Sequence, residues 1–98
     1  MDAAGLPALL DAIRHMYGLE AKWLESVPVR EMHNGAVVWD GEVQVFEVAH
    51  SKASRAYAWS HATEGAKRRF HIVLGLPPVD GPAMAVRASI VAEAKRQN

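Results

Sequence analysis

The chain has 98 residues, half of them hydrophobic and 22% charged, with eleven basic against eleven acidic side chains and no cysteine. That length supplies one core and no second, independent one, so residues 1–98 are expected to form a single α+β domain. The composition excludes a disordered chain, and the missing cysteine excludes disulfides, thiolate metal sites and thiol nucleophiles.

The N-terminal stretch MDAAGLPALLDAIRHMYG lacks the basic start, long apolar run and small-residue cleavage site of a signal peptide. No stretch approaches a membrane span, so a cytoplasmic protein with no membrane association is expected. Charge is unevenly spread: residues 1–50 hold three Lys/Arg against eight Asp/Glu, and residues 51–98 hold eight against three. Opposite charges become cross-strand neighbours if the two halves pair in one sheet.

Leu6, Leu9, Leu10, Ile13 and Tyr17 recur with helical period, Pro7 suits a first turn and Gly18 suits the left-handed cap, so a helix is predicted over about 6–17. The next thirty residues change to a period near two and are rich in Val, Trp and Phe. His33-Asn34-Gly35 signals a hairpin. A three-residue loop, with Gly35 as a bulge, would set Met32 opposite Ala36, Val29 opposite Trp39, Val27 opposite Gly41 and Trp23 opposite Val45. A two-residue Asn-Gly loop would instead set Val29 against Asp40, mixing apolar and charged on a buried face, so the first register is preferred. A bulge near Asp40-Gly41 would accommodate the change from odd (Val43, Val45) to even (Phe46, Val48) apolar positions. Pro28 removes a ladder donor and places the first strand at an edge.

A second hairpin is expected with a two-residue turn at Glu64-Gly65, pairing His61 with Arg68, Trp59 with Phe70, Tyr57 with Ile72 and Arg55 with Leu74. This register puts the large apolar residues on one side. It leaves Ser54, Ala56, Ala58, Ser60, Arg69 and His71 on the other. LGLPPVDGP then reads as a loop, and the segment after it as a helix capped by Asp80 or Gly81, with Ala83, Val86, Ile90, Val91 and Ala94 as its buried stripe. The order is α-β-β-β-β-α: an antiparallel four-stranded meander with two helices packed on one face.

Tyr57 and Trp59, two residues apart on a strand, share a face, and that face is expected to lie beneath the helices. The side carrying Ser54, Ala56, Ala58, Ser60, Arg69 and His71 is then a flat surface of short side chains, suited to a second copy of the chain or a protein partner. The alternative is RNA or single-stranded DNA binding by Lys52, Arg55, Lys67, Arg68 and Arg69. The outline helix, antiparallel strands, helix is also that of double-stranded RNA-binding domains. Their lysine-rich second-helix start is replaced here by Asp80, Gly81, Pro82 and Ala83.

Nothing points to a cofactor. His15, His33, His50, His61 and His71 form no metal-ligand pair by spacing. Adjacent Ser60 and His61 would point to opposite faces of a strand, and Asp40 and Glu42 read as a solvated acidic stretch, so no catalytic residue is assigned. VVWDGEVQVFEV, HSKASRAYAW and LPPVDGPAMAVRASIVAE, with the patterns W-x-G-x-V-x-V-F and H-x-K-A-x-x-A-Y-A-W, resemble a group of small bacterial proteins without an established function. The resemblance spans about residues 18–93 and implies a bacterial single-domain protein; it supplies no site residue. The expected function is a small non-enzymatic module for protein interaction or self-association.

Overall fold

The computed structural model describes residues 5–62 and 68–97. Its elements are α1 (Gly5–Tyr17), β1 (Ala21–His33), β2 (Ala36–Val48), β3 (Arg55–Ala62), β4 (Arg68–Leu74) and α2 (Pro82–Gln97). The strands form one antiparallel sheet in the order β1-β2-β3-β4, with both helices packed against it. The α+β class, the element order and the meander are those the periodicity indicates, and β1, with Pro28, is an edge strand. Among the described residues no helix is long and apolar enough to cross a membrane.

α1 ends where its stripe does, with the Gly18 amide donating to the Arg14 carbonyl at 2.7 Å. Its Leu9 and Ile13 are fully buried on Phe46, Ala56, Ala58 and Ile72. α2 opens with the Ala85 amide donating to the Gly81 carbonyl. Its Ala85 and Val86 are buried against Val29, Val43, Val45, Tyr57 and Trp59. Ala56 and Ala58 alternate with Tyr57 and Trp59 along β3, and alternate residues point to opposite faces, so each helix takes its own face. The expected single helical layer is therefore two layers, one on each side of the sheet.

The reason is a register difference of one residue. Trp59 pairs with His71, Tyr57 with Val73 and His61 with Arg69. The expected partners, Phe70, Ile72 and Arg68, are each one position away, and a shift of one carries every side chain of a strand through the sheet. Ile72 and Leu74 thus join Ala58 and Ala56 beneath α1, while Val73 joins Tyr57 beneath α2. The expected turn at Glu64-Gly65 lies outside the described residues.

The first hairpin also departs from its expected register. It uses the two-residue loop: His33 pairs with Ala36, and Asn34 and Gly35 both take positive φ (52° and 77°). That combination matches the twist of paired strands. Bulges absorb the mismatch instead of the loop. Val38 is extra on β2, between Met32↔Val37 and Glu31↔Trp39, and Leu24 is extra on β1, between Trp23↔Phe46 and Glu25↔Val45. Val29 therefore faces Gly41 and Val27 faces Val43, and the apolar face continues unbroken. No bulge is needed at Asp40-Gly41, since Val43 and Val45 serve α2's face while Phe46 and Val48 serve α1's. A run that is apolar at both parities is the mark of a strand covered on both sides.

On α2 the buried stripe is rotated from expectation: Ala85 and Val86 are buried and Ser89 and Ile90 half-buried, while Ala83, Val91 and Ala94 are exposed. Polar contacts draw the helix round. Arg69 makes a bidentate bond to Glu93 (3.1 Å each), Ser89 Oγ lies 3.3 Å from His71 Nδ1, and Arg87 Nε donates to Glu31 at 2.7 Å.

Candidate functional site

The residues expected to form an open face do not share one. Ala56 and Ala58 are fully buried; their small size lets Leu9 and Ile13 of α1 sit close to the strand. Ser60, half-buried on that side, pairs with Phe70. Arg69 and His71 lie on the opposite face, engaged with α2, and Ser54 precedes β3, its carbonyl accepting from the Val48 amide at 3.1 Å. Of the basic set, Lys52 is exposed, Arg55 is half-buried and Arg69 is tied to Glu93. The Lys67 and Arg68 side chains lie outside the described residues. Tyr57 and Trp59 are 6% and 3% exposed beneath α2, so neither ring is open to a nucleobase.

The histidines are dispersed. His71 stacks on Trp59, His50 Nδ1 accepts from the Lys52 amide, and His15 and His33 are exposed. Among the described residues no three metal-ligating side chains converge.

Two places remain. The first is the outer half of the β1–β2 hairpin. Among the described residues β3 is laddered to β2 only along residues 44–47, so β2 from Ala36 to Val43 has no described ladder partner on its β3 side. α2 covers one face of this ribbon through Val27, Val29 and Trp39. On the other face the sheet runs beyond α1. There Trp23 Nε1 donates to Gln44 Oε1 at 2.8 Å and Gln44 Nε2 donates to Ser26 Oγ at 3.0 Å, which satisfies the buried amide of Gln44. Outward from this network the rows are Pro28/Glu42, Arg30/Asp40 and Met32/Val37, all exposed. Trp23, Met32 and Val37 are 43, 50 and 51% exposed, and the Arg30–Asp40 pair (3.2 Å) lies between the tryptophan and the two aliphatic chains.

The second place is a cleft of about 450 Å³ between the start of β3 and the β4–α2 loop, lined by Arg55, Tyr57, Gly75, Pro77, Val79 and Asp80, among others. Gly75 lets the chain turn tightly past β3. Its amide donates to the Arg55 carbonyl at 2.8 Å, and a Cβ there would stand 3.1 Å from that oxygen and 3.4 Å from the Tyr57 ring. Arg55 is steadied by one bond, from Nη1 to the Ser54 carbonyl at 3.2 Å. Burial pushes the Tyr57 phenol above its ordinary pKa; Arg55 opposes the rise and Asp80 adds to it.

No known protein family, curated protein or solved structure matches this chain.

Sequence reasoning placed Tyr57 in the core and Asp80 at a helix cap without bringing them together. The Leu76–Gly81 loop that does so had only its prolines and glycine as a signal. The exposed hairpin face had a clearer one in Val37-Val38, two adjacent apolar residues beside a tight turn.

Proposed function

We propose that this protein is a non-enzymatic interaction module that self-associates through the outer face of the β1–β2 hairpin, with a second copy of the chain as the partner. The observation that carries this reading is the exposure of Trp23, Met32 and Val37 on one side of the β1–β2 ribbon, which α1 packs against at its Ala21 and Phe46 end. A twofold contact requires a patch to be its own complement. One cation and one anion side by side, Arg30 and Asp40, meet that requirement, because each can face its opposite on the other copy. The β2 edge beside the patch, without a ladder partner among the described residues from Ala36 to Val43, offers backbone donors and acceptors to the same partner.

Nothing favours the nucleic-acid alternative, whose stacking rings are beneath α2. Light scattering on the fractionated protein over a concentration series tests self-association. A dimer that becomes monomeric in the exposed-site variant Met32→Glu/Val37→Lys, with the circular dichroism unchanged, supports it. A monomer at the highest soluble concentration, or a dimer indifferent to the double substitution, refutes it.

A further inference from the structure

The cleft between β3 and the β4–α2 loop holds two opposite charges that do not pair with each other. Arg55 uses one of its five N–H donors on the Ser54 carbonyl. Neither Arg55 nor Asp80 forms a salt bridge with any described residue, although Glu47 stands opposite Arg55 in the β2–β3 register. Tyr57, 94% buried, lines the same cleft, and its hydroxyl makes no hydrogen bond to a described residue. A phenol that is otherwise buried normally finds a partner. No buried side-chain polar atom among the described residues lacks a partner, so the Tyr57 hydroxyl is reached by solvent, and a polar atom of a bound molecule can replace water there.

The walls narrow the choice of ligand. Pro77, Pro78 and Val79 supply an apolar side, and the volume falls within the range of small-molecule sites. An anion alone would be repelled by Asp80, and a cation alone by Arg55. A molecule with both charges satisfies both walls, and its own polar atoms can engage the phenol. We propose that this cleft binds a small zwitterion with a free ammonium and a free carboxylate, of the α-amino-acid or short-peptide class. Arg55 takes the carboxylate, Asp80 the ammonium, and the Tyr57 hydroxyl a further polar atom. This site is separate from the hairpin face and does not depend on self-association.

The test is a titration of the full chain, followed by amide proton–nitrogen spectra, with the dipeptide Ala-Val, its N-acetyl form and its C-terminal amide. Saturable shifts at Gly75, Val79 and Asp80 are expected with Ala-Val. Each blocked form should bind about tenfold or more weakly, the usual loss for a charge-assisted hydrogen bond. Arg55→Gln should abolish the preference for the free carboxylate and Asp80→Asn that for the free ammonium. Free valine in place of Ala-Val separates an amino-acid site from a peptide site. No saturable response to valine or Ala-Val, equal responses to the three dipeptide forms, or preferences that survive both substitutions would each overturn the proposal. The wild-type titrations decide the matter even if a variant fails to fold.

Discussion

Trp59 and His71 stand opposite each other on the β3–β4 ladder, their ring centroids 5.3 Å apart and their planes 11° from parallel. Trp39 approaches the same indole at 5.9 Å, tilted by 60°. The contact exists only because the register puts His71, and not Phe70, across from Trp59. Replacing Trp59 with alanine should cost about 3–5 kcal/mol, and His71→Ala about 1 kcal/mol for the lost stacking. Urea unfolding monitored by circular dichroism measures both. A Trp59→Ala cost under about 1 kcal/mol would place the indole outside the core.

Ala58 separates the two-sided arrangement from a one-sided one. Beneath Leu9 and Ile13 there is no room for a larger side chain, so Ala58→Leu should destabilise by about 1–3 kcal/mol. On an open face the same change would stay within about 0.5 kcal/mol. Thermal unfolding of this one variant reads the difference.

The ion pairs should differ sharply in worth. Glu31 has a side chain only 10% exposed and takes its bond from Arg87, which is 60% exposed. Removing the cation with Arg87→Leu leaves a nearly buried carboxylate unpaired, a loss of about 1–2 kcal/mol once solvent screening at the arginine is allowed for. Arg14 and Glu20, 63% and 81% exposed, form a pair of similar length, and Arg14→Ala should change stability by less than about 0.5 kcal/mol. Equal effects in denaturant titrations would contradict the burial assigned to Glu31.

Much of this was written in local pattern. The stripe Leu6–Tyr17, the Asn34-Gly35 turn and Pro28 at an edge each carry their own physical signal, and each element formed where its signal lies. The registers did not, because two pairings of β3 with β4 one residue apart both give tidy faces. Grouping all the large residues of Arg55–Leu74 on one side looked consistent only while one face was assumed to be solvated. The run from Val43 to Val48, apolar at both parities, carries the signal of a strand covered on both faces. The cleft was less legible still, because its polar groups come from segments about twenty-five residues apart and meet only through loop geometry.

Burial raises the Tyr57 phenol above its usual value of 10.0, against the pull of Arg55 and with the help of Asp80. Below the unfolded-state value both states keep the proton and the group adds no pH dependence. Above it the unfolded chain releases the proton first, so stability falls as pH rises toward the folded-state value. Unfolding free energy should therefore decline more steeply in this alkaline window for the wild type than for Tyr57→Phe. Tyrosinate absorbance should show an ionisation above the ordinary phenol range that Tyr57→Phe removes. Superimposable stability profiles would mean the phenol is in open water.

With a helix on either side, neither surface of the central strands is fit to meet solvent. Shedding α1 bares Phe46, Ala58 and Ile72, and shedding α2 bares Val45, Tyr57 and Trp59. Both helices consequently rise and fall with the sheet as one cooperative unit. The amides of β2 around Phe46 should exchange with solvent only when the whole chain opens.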